Sequence, residues 1–390
     1  MKIAIVTTGT NGLPVPPAKG GAVENLIDTY LKHNEKVFRD DITVFSCEDG
    51  KAKLNSSKYK YTNFVFLKTS GWAYKINKIV RYVVNKFSKK YVGNAFISQL
   101  PDLSNFDVVL IENRLEYGYY LKDKISGKLI LHMHNDVNLE DYNFNLEEEI
   151  YDLTICVSEY IKEQIKLKLN FKNLFVIYNG IKNTRFENYY SEEDIKHFRK
   201  SIGINNKDKV ILFSGRLNKN KGIRELLEAF LKLPVNKNYK LLVMGNSIYG
   251  LNSKDQFTKD LYNMAASRKN DIIFTGYVNY EDVPLIYHSC DLVVLPSIWE
   301  EPLGLTIIEA VASGKPLITT NSGGIPEIVK GTSAIVLDRD DLLVKNLTDS
   351  IEYIFENIKN RNFSSELDKS FTEESYCENL HLILKKNLGC

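Results

Sequence analysis

The stretch KVILFSGRLNKNKGIRELLEAF, residues 209–230, contains one complete unit of the fold. An apolar run, 209–215, stops at a glycine; a polar loop with Arg216 and Lys221 follows, and a helix-period segment starts near Gly222. The run is apolar without alternation, as suits a strand covered by helices on both faces. The pattern continues downstream in KLLVMG (240–245), DIIFTG (271–276), DLVVLPS (291–297), KPLITT (315–320) and SAIVLD (333–338). Upstream it reads KIAIVTT (2–8), DITVFS (41–46), NFVFL (63–67), DVVLIE (107–112), KLILHMH (128–134), LTICVS (153–158) and LFVIYNG (174–180). Short apolar runs separated by helical segments predict parallel strands with right-handed crossovers, twice over. The fold class is therefore α/β: two doubly wound, Rossmann-like domains, with ligand sites at the carboxyl ends of the strands and a cleft between the domains as the default active site.

Length agrees, since 390 residues suit two domains better than one core. The segment 179–209 is polar and charged, which places the boundary near 185–205. The expected division is 1–190, 205–369 and a C-terminal helix, 370–390, whose Tyr376, Leu380, Ile383 and Leu384 fall on one stripe.

Charge is uneven. The net value is +2, yet residues 50–101 contain eleven Lys or Arg and no Asp or Glu, so the rest of the chain carries −9. Such a block points to an acidic surface or ligand. Within it, 71–91 places Ile76, Ile79, Val80, Val83, Val84 and Phe87 at helical spacing, with Trp72 and Tyr74 ahead of them and Lys75, Lys78, Arg81, Lys86, Lys89 and Lys90 between and after. Two readings fit: a helix packed on the core with a solvated outer face, or a surface meeting anionic lipid or a pyrophosphate-linked acceptor. Trp72, Lys75, Lys78, Arg81 and Lys86, with Asn113 and Arg114, are the candidate acceptor- or membrane-facing residues. No nucleic-acid-binding motif accompanies the charge, so no nucleic acid partner is expected.

Several classes are disfavoured. The N-terminal apolar run is too short for a signal peptide, and no stretch approaches 18 apolar residues. Five scattered cysteines form no CxxC pattern, which suits a reducing cytoplasm rather than a disulfide framework. His132 and His134 share a strand face, but without a third ligand no metal is expected. GxGxxG and P-loop patterns are missing.

Four constellations carry chemistry. Arg216 and Lys221, at a strand end beside a helix N-terminus, suit a diphosphate; so would an ordinary solvated loop. In PSIWEEPLGLTIIEAVASGKPLITTNSGGIPEIV (296–329), Glu301 lies in a loop and Glu309 in a helix that starts near Leu305. Unpaired N–H groups near Leu303, Gly304 and Leu305 would meet an anion there, leaving the two carboxylates for sugar or ribose hydroxyls. Gly20 and Gly21 open a helix where a backbone can approach a ligand. His134 stands at the carboxyl end of a first-domain strand.

Together SGRLNKNKG, EPLGLTIIE, SGGIPEIV, VSEYIKE and YNGIKNTRF resemble the family-4 retaining glycosyltransferases of the GT-B fold, also called group 1 glycosyltransferases. The resemblance spans most of both domains and is strongest over 209–330. It implies a nucleotide-sugar, UDP-linked, as donor, a glycan or lipid-linked acceptor in cell-surface polysaccharide or glycoconjugate synthesis, and a hexose or N-acetylhexosamine transferred with retention. It implies a cytoplasmic enzyme, peripheral on the inner face of the plasma membrane, that needs no cofactor and no metal. By position, Arg216 and Lys221 neutralise the diphosphate, Glu301 binds donor-sugar hydroxyls, Glu309 binds the ribose, Gly20, Gly21 and Gly215 lie along the donor, His134 meets the sugar, and Tyr277 with Val278 reads the base through backbone atoms. A non-catalytic subunit that binds nucleotide-sugar and a sugar-nucleotide epimerase of the same fold are the alternatives.

Overall fold

The computed structural model describes residues 1–390 except 10–12, 19–20, 89, 143, 145, 147–149, 188–189, 247–254, 360–362, 364–365 and 387–390. The chain divides into two compact units, Met1–Gly180 with Glu373–Cys390, and Ile181–Thr372.

In chain order, the first unit contains β1 (Lys2–Val6), α1 (Ala22–Lys36), β2 (Asp41–Cys47), α2 (Gly50–Ser56), β3 (Thr62–Leu67), α3 (Trp72–Phe87), β4 (Val108–Glu112), α4 (Leu115–Leu121), β5 (Lys128–Met133), β6 (Leu153–Cys156), α5 (Glu159–Lys168) and β7 (Leu174–Val176). The second contains α6 (Thr184–Glu187), α7 (Glu192–Ser201), β8 (Lys209–Ser214), α8 (Ile223–Lys232), β9 (Tyr239–Met244), α9 (Gln256–Ala265), β10 (Ile272–Gly276), α10 (Val283–His288), β11 (Leu292–Leu295), α11 (Leu305–Ala312), β12 (Leu317–Thr320), α12 (Ile325–Val329), β13 (Ile335–Leu337) and α13 (Leu343–Asn357). Helix α14 (Glu373–Lys386) then belongs to the first unit.

Every sequence-predicted strand forms, and all pair in parallel. The sheet orders are β3-β2-β1-β4-β5-β6-β7 and β10-β9-β8-β11-β12-β13. The direction of strand succession reverses between β1 and β4 in one sheet and between β8 and β11 in the other, and these are the switch points where doubly wound folds bind ligands. The central strands are buried apart from the first residues of β1, β5 and β8, and all five residues of β4 are buried, because helices cover both faces. Side-chain oxygens cap several helices, Ser158 on α5 and Asp255 on α9 among them. Among the described residues no helix is long and apolar enough to cross a membrane.

The division differs from the sequence expectation. The second unit starts at Ile181, not at 205, and takes the polar stretch with it. Arg199 of α7 donates to Ser289 O at 2.9 Å and pairs with Asp291 at 2.9 Å. The Phe186 ring meets Tyr287 edge-on at 5.7 Å. The charged composition of 191–201 is a solvated helix, opened by a capping box between Ser191 and Asp194, rather than a linker. At the other end the unit closes at Thr372, where the Ile181 N–H donates to Phe371 O at 3.0 Å.

Helix α14 covers α1. Tyr376, Cys377, Leu380 and Leu384 join Leu26, Ile27, Tyr30 and Leu31 in the core that also holds Ile3, Ile5, Leu110 and Ile130. Ile383 is partly buried at its edge. Leu380→Ala leaves a cavity against α1 and is expected to cost about 2–5 kcal/mol. Urea unfolding measures it, with the surface change Leu382→Ala as a near-neutral control.

Candidate active site

In the second unit, the loops after β8 and β11 are fastened to each other before any side chain meets a ligand. The Asn220 carbonyl accepts the Ile298 N–H at 2.9 Å and the Ser297 hydroxyl at 3.1 Å. Gly222 allows this closeness: its φ is 67°, and a Cβ there would collide with Pro296 O. Lys221, in a short 3-10 turn just before it, thereby reaches Glu301 and ion-pairs with Oε1. The Ser297 hydroxyl lies 2.8 Å from that same oxygen, so its one hydrogen is shared between Glu301 and Asn220 O. Glu301 is buried and Lys221 half-buried, so the pair is only weakly screened by solvent.

The loop after β12 holds the Glu301 backbone. Gly324 N–H donates to Glu301 O at 2.8 Å, and Ser322 bridges Trp299 O and the Glu301 N–H. Gly323, at φ 52°, leaves room that a Cβ would fill by running into Glu301 O. The neighbouring Glu300 faces away from Lys221: its carboxylate accepts the Gly323 N–H at 2.8 Å and pairs with Arg339 at 2.5 Å.

Helix α11 begins at Gly304, whose φ is 93°. Its first turn has N–H groups without intrahelical acceptors and carries the positive end of the helix dipole. A pocket lined by Ser214, Lys221, Ser297, Glu301, Gly304 and Thr306 lies there. One turn further on, Glu309 is buried, with the Tyr287 hydroxyl 3.4 Å from Oε2. Burial pushes its carboxyl up to about 7, against the Tyr287 hydroxyl and the Arg185 guanidinium, which favour ionisation.

The other second-unit residues singled out in the sequence lie on strand ends and loops outside the pocket's lining. Gly215 ends β8, with its N–H on Met244 O at 3.0 Å, and Arg216 is exposed in the loop beyond. Leu303 is buried, and Leu305 opens α11. Tyr277 is exposed and Val278 half-buried just after β10. Beyond β13, Arg339 pairs with Glu300.

The first unit gathers a second cluster at the ends of β4 and β5. Glu112 Oε2 lies 2.8 Å from His134 Nε2 and 3.1 Å from His132 Nδ1, and all three residues are buried. Burial opposes ionisation of Glu112, but the two imidazoles overcome it and bring its pKa down to about 2. Burial and the neighbouring His132 push His134 down to about 4, against the pull of Glu112. At neutral pH the carboxylate can only accept, so the His134 nitrogen facing it carries the proton and the other nitrogen keeps its lone pair. Asn113, at φ 54°, donates its N–H to His132 O at 2.7 Å and accepts the His134 N–H on Oδ1 at 3.0 Å, which fixes the loop.

Glu112 is the residue the sequence reading passed over: it lies twenty positions before His132 and reads as the end of a buried strand. It supplies the third ligand that the histidine pair lacked, with the three ligand atoms within 4.8 Å of one another. Among the described residues this is the only such group. Gly21 precedes α1 at φ 119°, where a Cβ would run into the Glu24 carboxylate. Gly20 lies outside the described residues. Arg114 opens α4 and pairs with Glu116 at 3.7 Å.

Glu309 predicts a pH dependence of stability. An acid with a folded-state pKa above its unfolded value stabilises below about 4.5, and that contribution is lost as pH rises through about 7. The ligand-free protein should lose on the order of 3 kcal/mol by this route between about pH 4 and pH 8. The slope should flatten in Glu309→Gln, as urea midpoints across that range would show.

Residues 194–370 match the family described as Glycosyl transferases group 1, which is most of the second unit. YtcC of Bacillus subtilis (strain 168), provisionally named a glycosyltransferase, is 28% identical over 96% of this chain and 84% of its own length. Spore coat protein SA of the same organism is 27% identical over 99% of this chain and 100% of its own length. Among solved structures, HepE of Anabaena in complex with UDP and glucose aligns over 99% of both chains with a TM-score of 0.73 at 19% identity. That likeness gives the fold, the two-domain α/β architecture of GT-B glycosyltransferases. Residues 194–370 thus match the group 1 glycosyltransferases, and the chain as a whole is similar to glycosyltransferases in sequence and to GT-B glycosyltransferases in fold.

Proposed function

We propose that this chain moves a hexose or N-acetylhexosamine from a UDP-linked donor to a glycan or lipid-linked acceptor, with retention at the anomeric carbon and no metal, in cell-surface polysaccharide or glycoconjugate synthesis. A cytoplasmic location beside the plasma membrane suits that acceptor. The observation that carries the reading is the second-unit pocket: one cation, one helix N-terminus and the buried Glu301 carboxylate around a single opening, with the buried Glu309 one turn along the same helix. The group 1 match and the UDP and glucose of HepE support the donor class.

The barrier to transfer comes from charge that develops on the departing diphosphate and from an oxocarbenium-like sugar. Lys221, Arg216 and the first turn of α11 stabilise the leaving charge. No metal is required, because these groups meet the charge. Glu301 accepts hydrogen bonds from the sugar hydroxyls and Glu309 from the ribose. Gly21 and Gly215 leave space along the phosphates, and Tyr277 and Val278 border the base. In the first unit, His134 orients the sugar through the nitrogen that Glu112 leaves free. No carboxylate acts as a covalent nucleophile, so the departing phosphate takes the acceptor proton and the new bond forms on the same face.

Thermal shift with a panel of nucleotide-sugars identifies the donor, and transfer assays with lipid-linked acceptors follow. Lys221→Ala or Arg216→Ala should lower turnover about 10²–10³-fold, equivalent to about 2.7–4 kcal/mol. Unchanged turnover in both variants would overturn the assignment. Conversion of donor in the absence of any acceptor would mark an epimerase, and donor binding without turnover a non-catalytic subunit.

A further inference from the structure

Helix α3 is amphipathic in the reverse sense to a core helix. None of its sixteen residues is buried. The side facing its own unit is the polar one, at spacings of four: Asn77, Arg81 and Asn85. Asn77 Nδ2 lies 3.4 Å from Ser98 Oγ, and Arg81 donates to Val92 O at 2.5 Å and to Asn77 Oδ1 at 3.0 Å. Asn85 donates to Gly93 O at 3.0 Å and accepts the Val92 N–H at 2.9 Å. Arg81 is thus half-buried and belongs to this inward line, which corrects its placing on the acceptor- or membrane-facing side.

The opposite side is apolar and lies in solvent. Trp72 is 78% exposed, Ile79 63% and Phe87 81%, and Ile76, Val80 and Val83 fill the stripe between them. At 3.6 residues per turn these six side chains share one narrow face. Lys75, Lys78 and Lys86 flank it and are exposed. The core-packed reading of 71–91 therefore does not hold; the unit holds the helix by hydrogen bonds and turns its apolar stripe outward.

Water is a poor partner for such a stripe, and the surrounding charge selects what replaces it. With no acidic residue from 50 to 101, a second copy docked face to face would bring lysine against lysine. Anionic lipid offers both what the stripe needs and what the lysines need. We propose that α3 is an in-plane docking helix for an anionic bilayer surface, with Trp72, Ile76, Ile79, Val80, Val83 and Phe87 at the headgroup–acyl boundary and Lys75, Lys78 and Lys86 among the headgroups. The proposal is independent of the transfer reading: either can fail alone.

The test is flotation of the full chain with phosphatidylglycerol-containing vesicles against pure phosphatidylcholine vesicles. At low salt the protein should float with the anionic vesicles only, with a blue shift of Trp72 fluorescence that a Trp72→Phe variant lacks. Ile79→Glu, and separately Lys75→Glu with Lys78→Glu and Lys86→Glu, should each reduce binding about ten-fold or more. All these positions are on the surface, so unchanged thermal unfolding checks the fold. Equal flotation of parent and variants, or no flotation at all, overturns the proposal. A dimer in lipid-free solution that Ile79→Glu disrupts would assign the stripe to a second copy instead, and would also overturn it.

Discussion

The parallel pairing of β8 with β11 sets the chemistry of the second unit. Leu292 stands opposite Ile211 and Val293 opposite Leu212. That register places two strand ends side by side although the strands are about eighty residues apart in sequence. Once they are adjacent, Asn220 O can bind the backbone and side chain of the β11 loop, and Lys221 can reach Glu301. Shifting the register by one residue would exchange the two buried faces of the strand and part these groups. The first unit repeats the device between β1, β4 and β5, where the end of β4 delivers Glu112 and Asn113 to the histidines at the end of β5.

Three buried glutamates show how neighbours decide what burial means. Glu112 sits against two imidazoles and stays ionised. Glu301 is matched by an ammonium group and a hydroxyl. Glu309 has a tyrosine hydroxyl and an arginine too weakly coupled to offset its desolvation, and it titrates near neutrality. A consequence for the pocket is that Lys221 is already half of an ion pair. Glu301 and any anion arriving at Lys221 would compete for the one ammonium.

Much of this was legible in the sequence. Strands buried on both faces write themselves as unbroken apolar runs, so the central strands among the described residues could be located; short apolar runs also marked the half-exposed edge strands β3, β7 and β13. Of the pocket's lining, Lys221, Glu301 and Gly304 could be named because each follows such a run, and a parallel sheet sends every strand end to one edge. Three things were not legible. Glu112 could not be joined to His132 and His134, because strand adjacency rather than local pattern brings them together. Polar composition at 181–204 could not separate a linker from a helix with a solvated face; Arg199 and Phe186 decide it through contacts about ninety to a hundred residues away. The periodicity of α3 gave a stripe but not its direction, because Asn77, Arg81 and Asn85 find their acceptors in a loop whose course the sequence does not state.

The position of α14 has a consequence for how the protein is made. A ribosome extrudes the seven strands of the first sheet, then the whole second unit, and only then the helix that covers Leu26, Tyr30 and Leu31. For most of its synthesis the first unit therefore exposes an unfinished wall of its core, and a nascent chain stalled in the second unit would be a substrate for chaperones.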